Sequence, residues 1–440
     1  MMRSSGNIGN IRRLALALAA LLPATPAAAE KVVVTADRMV DVLTGKVVES
    51  PAIFIGDDGR ITSVADARTV RWSSDVRHID LSGRTLLPGF IDMHVHLDSP
   101  ADIGGYRGLE FTDSFFGMTA VGNARAMLDA GFTTVRNVGS ANRNDVGLKQ
   151  AIDNGYAIGP RIVPGGYALG ATGGHCDSTF LPPSLEKPRK EEGVGDGPEE
   201  LRHQVRRQRK FGSEVIKVCA TGGVFSRNTE PGQPQLSENE LRAIAQEANQ
   251  WGLRTAAHAH GAEGIKRAVR AGIDTIEHAS LADAEVIRLC AERARPCYFS
   301  MDIYNTDYTQ AEGKKNGVLE DNLRKDREVA QIQRDNFRAA HRAGVRMVFG
   351  SDAGVMPHGQ AGRQFATMVR FGMTPLQAIQ AATRNAAEAL GREKDVGAIV
   401  VGRFGDLVAV PGDPLRDPAL LAAPDAVVKG GKLVKAPPAR

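Results

Sequence analysis

From Thr119 onward the chain alternates between two kinds of apolar spacing. Short apolar blocks open near Phe90, Phe132, Arg161, Glu214, Arg254, Ile273, Pro296 and Val345, and these read as strands. Between them, apolar residues recur every three or four positions over Thr119–Ala130, Glu199–Phe211, Ser237–Trp251, Ala262–Ala271 and Asn322–Ala343. That spacing predicts helices, and Ser237 with Glu240 adds a capping-box signature to one of them. Strand and helix in regular alternation imply an α/β fold with a parallel sheet, and eight strands are the number that closes a (β/α)8 TIM barrel. Two segments, Leu181–Pro198 and Tyr304–Gly317, break the rhythm and are expected as loops over the barrel mouth.

The ends follow another pattern. Lys31–Leu87 and Val396–Val434 carry short β-like runs cut by Gly and Asp, as in Phe54-Ile-Gly-Asp-Asp-Gly-Arg-Ile61. Neither flank is large enough to bury a core alone, so both chain ends are expected to form one small β-sandwich. The expected division is therefore 1–29 as a signal peptide, 30–87 with 396–440 as the composite sandwich, and 88–395 as the barrel. Pro437–Arg440 reads as a loose tail.

The signal reading rests on Arg3, Arg12 and Arg13, the apolar run Leu14–Leu22, and a cleavage pattern at Ala27-x-Ala29. The run is too short to span a bilayer, so an exported protein, periplasmic or secreted, with no membrane attachment after processing is expected. Arg12-Arg13 leaves a twin-arginine route open. The formal charge of +4 includes those three arginines, so the mature chain is close to neutral. A nucleic-acid partner would need a clustered basic excess. The cluster Arg202, Arg206, Arg207, Arg209 and Lys210 lies on a predicted helix and reads as a solvated face. The four cysteines, Cys176, Cys219, Cys290 and Cys297, show no Cys-x-x-Cys spacing. Cys290 and Cys297 could pair in an oxidising compartment, or all four could be buried thiols.

Candidate chemistry gathers at strand ends. Phe90-Ile-Asp-Met-His-Val-His96 puts His94 and His96 on one face of a strand, able to grip one metal ion together. Later strands end in Lys217, His258, His278 and Asp352. In a barrel of this kind those ends converge on one mouth. An ammonium near pKa 10.4 has no lone pair for a metal. A lysine amine that has reacted with carbon dioxide becomes a two-oxygen carbamate able to bridge two ions, which makes a binuclear site chemically sensible.

Leu86-Leu-Pro-Gly-Phe-Ile-Asp-Met-His-Val-His-Leu97, the strand-end Lys217, Thr255-Ala-Ala-His-Ala-His-Gly261, Thr275-Ile-Glu-His278 and Gly350-Ser-Asp352 together resemble the amidohydrolase superfamily. Within it the chain is similar to binuclear metal-dependent dipeptidases of the Xaa-Pro type, some of which prefer a C-terminal Arg or Lys. It is also similar to exported relatives that cleave the ochratoxin amide. The resemblance implies two divalent ions, by default zinc: His94, His96 and Asp352 on one, His258 and His278 on the other, carboxylated Lys217 on both. It implies amide hydrolysis by a metal-bridging hydroxide, releasing a C-terminal amino acid with a free carboxylate. Asp352 then serves as the proton shuttle, and His175, in Gly173-Gly-His-Cys-Asp177, stabilises the oxyanion. His260 stands where similar dipeptidases place a substrate-binding side chain, often Tyr in proline-preferring members. The departure points to a basic or aromatic leaving residue. Ser99 and Arg227 are further substrate-contact candidates. The expected partner is a small molecule or dipeptide, with a homo-oligomer open.

Rival readings are a deaminase and a non-catalytic assembly protein on the same fold. A deaminase usually needs a Glu beside the strand-five His, which His258-Ala-His260 lacks. The complete ligand set argues against the assembly protein.

Overall fold

The computed structural model describes residues 30–177, 182, 184 and 192–438. The signal-like segment 1–29 and much of the expected Leu181–Pro198 loop lie outside these residues. Eight parallel strands organise the centre: β1 Phe90–Val95, β2 Phe132–Asn137, β3 Arg161–Pro164, β4 Val215–Cys219, β5 Arg254–Gly261, β6 Thr275–Leu281, β7 Tyr298–Ser300 and β8 Arg346–Val348. Each begins within two residues of the position marked by the apolar pattern. They form two arcs, β1 to β3 and β4 to β8, with every pairing parallel.

Backbone hydrogen bonds join the arcs at both seams. Past β3, Leu169 N–H donates to Lys217 O and Cys219 N–H to Leu169 O, each at 2.8 Å. Between β8 and β1, Met93 N–H donates to Phe349 O at 2.9 Å and Asp352 N–H to His94 O at 2.8 Å. A ring results, and its strands are apolar enough to be buried on both faces, as parallel strands under helices must be.

The helices follow the spacing closely. Ala262–Ala271 has the expected bounds, and Glu238–Gln250 carries the reciprocal Ser237–Glu240 capping box. One expectation fails: within Tyr304–Gly317 the chain forms a helix, Asn305–Glu312. Its buried face consists of Asn305, Thr306 and Thr309, so no apolar periodicity betrays it. Thr306 donates to Asp326 at 2.7 Å and thereby ties this helix to Glu320–Arg342.

Strands from both chain ends form one mixed eight-stranded sheet. Arg77–Pro88 is the join, parallel to Glu30–Val40 on one side and antiparallel to Leu407–Pro411 on the other. Because that strand bonds both ways, the two ends share one hydrogen-bonded sheet, with Val47–Glu49 branching off its main path. Its order doubles back where Ile61 N–H donates to Arg403 O and Gly402 N–H to Ile61 O, each at 2.8 Å. Val34, Ile53, Ile55, Ile79, Leu81, Leu407 and Val428 fill its interior. All four cysteines are paired, Cys176 with Cys219 and Cys290 with Cys297. Among the described residues, no helix is long and apolar enough to cross a membrane.

Candidate metal centre

The ends of β1, β4, β5 and β6 and the turn after β8 meet at a cavity of about 270 Å³. His94, His96, Lys217, His258, His278 and Asp352 all line it, together with His175, His260 and Ser99. Two donor sets lie close enough to hold an ion: His94, His278 and Asp352, and His258, His260 and His278. Within each set the ligand atoms are within 4.8 Å of one another, and His278 belongs to both. His260 therefore sits inside a donor cluster as well as at the cavity wall. Arg227 lies elsewhere, in an adjacent groove that shares His175 and Phe225 with the cavity, hydrogen-bonded to the Tyr106 hydroxyl.

The imidazoles are held by one nitrogen each. His94 Nδ1 meets Glu277 at 3.1 Å, His96 Nδ1 meets Gly139 O at 3.1 Å, and His278 Nδ1 meets Asp302 at 2.9 Å. His258 is held by the other nitrogen, Nε2 to Gly222 O at 3.1 Å. An acceptor on one ring nitrogen fixes the proton there and leaves the other lone pair for a cation. His94 Nε2 and His96 Nε2 indeed point together at Asp352 Oδ1, at 3.3 and 3.5 Å. The donor chemistry thus suits divalent ions, with neutral imidazoles and a carboxylate converging at one place.

Electrostatics agree. Burial pulls His94, His258 and His260 well below the usual histidine range and His96 down to about 4, so these rings are neutral, the form that ligates. For His278, burial acts downward but the Asp302 carboxylate outweighs it. Burial, reinforced by Asp302, raises Asp352 to about 7, and a bound cation would reverse that. Burial lowers the Lys217 amine to about 8. His278 and Asp352 also adopt left-handed backbone angles, φ 68° and 56°, a strain that the surrounding hydrogen bonds sustain.

Several residues that hold the site have no mark in the sequence. Asp302, just past β7, accepts from His278 and from Gln333 at 2.9 Å. Arg136, fully buried, donates to Met93 O and to Glu277, which in turn holds His94. Burial works against the Glu277 carboxylate, but Arg136 keeps it well below the usual range, so it is an ionised support for His94. Asp92 Oδ1 accepts from His94 N–H and Ser351 N–H and so ties β1 to the turn carrying Asp352.

A ring of parallel strands with this donor set at one mouth defines a metal-dependent hydrolase of the β/α class. Residues 85–434 match the model of the Amidohydrolase family, and the chain belongs to that family as a metal-dependent enzyme. It is 33% identical over 372 residues to an ochratoxinase of Aspergillus niger, covering 80% of this chain and 76% of that one. A crystal structure of a Xaa-Pro dipeptidase with methionine bound in its active site superposes with TM-score 0.83 at 33% identity, covering 91% of this chain and 99% of that one. A prolidase complexed with N-methylphosphonate-L-proline gives 0.84 at 32% identity, over 92% and 99%. The family implies the TIM barrel that the two strand arcs outline.

Proposed function

We propose that this enzyme hydrolyses the amide bond to a C-terminal amino acid with a free carboxylate, as in dipeptides and N-acyl amino acids. The observation that carries the reading is the convergence of His94, His96, Lys217, His258, His278 and Asp352 on one cavity. His94, His96 and Asp352 would hold one ion and His258 and His278 the other, with Lys217 as a carbamate between them. Burial supports the carbamate, since it lowers the amine toward its neutral, reactive form. Zinc is the default for N and O donors.

When bound, two divalent ions activate a water and polarise the scissile carbonyl. Asp352 takes the proton from the attacking water and delivers it to the leaving amine. His175 is kept neutral, burial lowering it to about 3. Its Nδ1 lies 2.8 Å from Ser226 Oγ, and in the tautomer where that hydroxyl donates to Nδ1 the ring presents Nε2–H to the tetrahedral oxyanion. His260, fixed by Ser280 at 2.8 Å, and Ser99 contact the substrate, while Arg227 in the neighbouring groove meets its outer end. Val138, Val224, Phe225, Val329 and Val355 give the cavity an apolar wall suited to a long or aromatic group. That wall also favours a second reading, an ochratoxin-type amide. Export is part of the proposal: two disulfides suit an oxidising compartment, and processing would leave Glu30 at the N-terminus.

The test pairs elemental analysis with a substrate screen. Wild-type protein should hold two ions per chain, and Lys217→Ala should lose metal and turnover together; unchanged stoichiometry sinks the bridge. Dipeptides and N-acyl amino acids should be cleaved much faster than their C-terminal amides. Equal rates would remove carboxylate recognition from the proposal.

A further inference from the structure

His175 reaches the cavity on a segment with little regular structure. Between Gly165 and Asp177 the chain makes only single bridges, at Leu169 and Gly170. The ring is nevertheless closely housed. It stacks on His258 with centroids 4.0 Å apart, Ser226 meets Nδ1 at 2.8 Å, and Gln235 accepts from its backbone N–H at 2.8 Å. A Cβ on Gly223 would fall on the imidazole, so only glycine leaves room for the ring there. The adjoining Cys176 is bonded to Cys219, two positions beyond Lys217 on β4. Gly170 opens the space for that link, since a Cβ there would stand 2.8 Å from Cys176 Cβ. Both cysteines line the catalytic cavity, whereas Cys290 and Cys297 do not.

We propose that the Cys176–Cys219 disulfide is a positioning device for His175. It fastens the ring over the cavity so that turnover, and not metal binding, depends on it. Loops at a barrel mouth are the mobile part of such folds, and a misplacement of about 1 Å in a reacting group costs on the order of 10²-fold in rate. The hydrogen bonds to Ser226 and Gln235 come from another loop, so they hold His175 only as well as the two loops are held together. Leu169 already bonds Lys217 and Cys219 through the backbone, but six residues upstream of His175; the disulfide adds a covalent link from the residue directly after His175 to the end of the strand that carries Lys217, where the other loop begins. The inference rests on the reading of this cavity as an amide-hydrolysing site.

The experiment compares Cys176→Ser/Cys219→Ser with Cys290→Ser/Cys297→Ser, using an N-acyl amino acid that wild-type enzyme cleaves. The first pair should lower kcat about 10- to 100-fold with little change in KM and wild-type metal content. The second pair should behave as wild type. Added to His175→Ala, the first pair should cost nothing further, because both changes remove the same contribution. A wild-type kcat, a loss that multiplies with that of His175→Ala, or loss of metal would each overturn the proposal. Should the first pair fail to fold, the bond can be cleaved in folded Cys290→Ser/Cys297→Ser protein by a phosphine. Water supplies the oxide oxygen and the two thiol protons. The same fall in kcat is expected, and full reduction with undiminished kcat overturns the idea. Absence of turnover in metal-loaded wild-type protein would instead count against the functional reading itself.

Discussion

The barrel mouth and the interior of the terminal sheet are both buried and put that burial to opposite uses. In the sheet, Val34, Ile53, Ile55 and Leu407 are at or near zero exposure, while Lys31 and Arg77 stay outside. At the mouth the buried positions are Lys217, His258, Glu277, His278, Asp302 and Asp352. Burying apolar area is favourable with no partner at all, about 25 cal/mol per Å². Burying charge is costly unless each group is paired. The mouth meets that demand group by group, with Glu277 between Arg136 and His94, and Asp302 between His278 and Gln333. What is left uncompensated faces the cavity. Stability is concentrated in the sheet and the barrel layers, and chemistry where burial is least comfortable.

The sharpest way to break this contrast is Asp352→Asn. The variant keeps the shape of the side chain and removes both the proton acceptor and the charge that His94 and His96 face. Turnover should fall by about 10²- to 10⁴-fold, while the circular-dichroism spectrum and melting temperature stay close to wild type. Wild-type turnover with the fold intact would take Asp352 out of the chemistry.

The reverse behaviour is expected of Ile53→Ala. Ile53 lies at zero exposure in Pro51–Gly56, within the apolar interior of the sheet. Losing its methyl groups leaves a cavity and should lower unfolding free energy by about 2–5 kcal/mol. Metal content and kcat of the folded fraction should not change. Denaturant unfolding and turnover measured on the same preparation decide it. A fall in kcat matching the fall in stability would show that the two regions are not separable in this way.

The same contrast explains what was legible in the sequence. His94, His96, Lys217, His258, His278 and Asp352 could be read because each closes an apolar run, and strand ends of a barrel share a mouth. Most of their supports could not, although Glu277, next to His278, reads as a structural partner and not a ligand. Arg136 and Glu277 are 141 positions apart and meet only through the ring of strands. Asp302 follows a strand of three residues, too short to set up a period, and precedes a helix whose buried face is polar. The Cys176–Cys219 pair links a loop to a strand across 43 positions, and nothing local distinguishes it from other pairings. In the terminal sheet the β-like runs were plain, but the strand that bonds on both sides was not. Pairing partners are set by tertiary contact, not by alternation within one strand.

The smallest expected effect lies on the seam between the two regions. Lys429, in Ala426–Lys429, donates to Gly159 O at 2.6 Å and so ties the sheet to the segment before β3. Burial, with Arg161 nearby, lowers its ammonium to about 8 from an ordinary 10.5, although Asp406 pulls the other way. Below about pH 8 the folded and unfolded chains both hold this proton. Between about 8 and 10.5 the unfolded chain still holds it while the folded chain has released it. The unfolded state then binds more protons, so this residue makes stability rise with pH across that window. Lys429→Met should remove that contribution and leave turnover alone. The measurement is the difference in melting temperature between wild type and variant as a function of pH, which cancels the titration of every other group. The difference should shift in favour of wild type as pH climbs from 8 toward 10.5. A difference that stays constant would mean that Lys429 titrates as a solvated lysine, and that the seam is open to water where the sheet and the mouth are not.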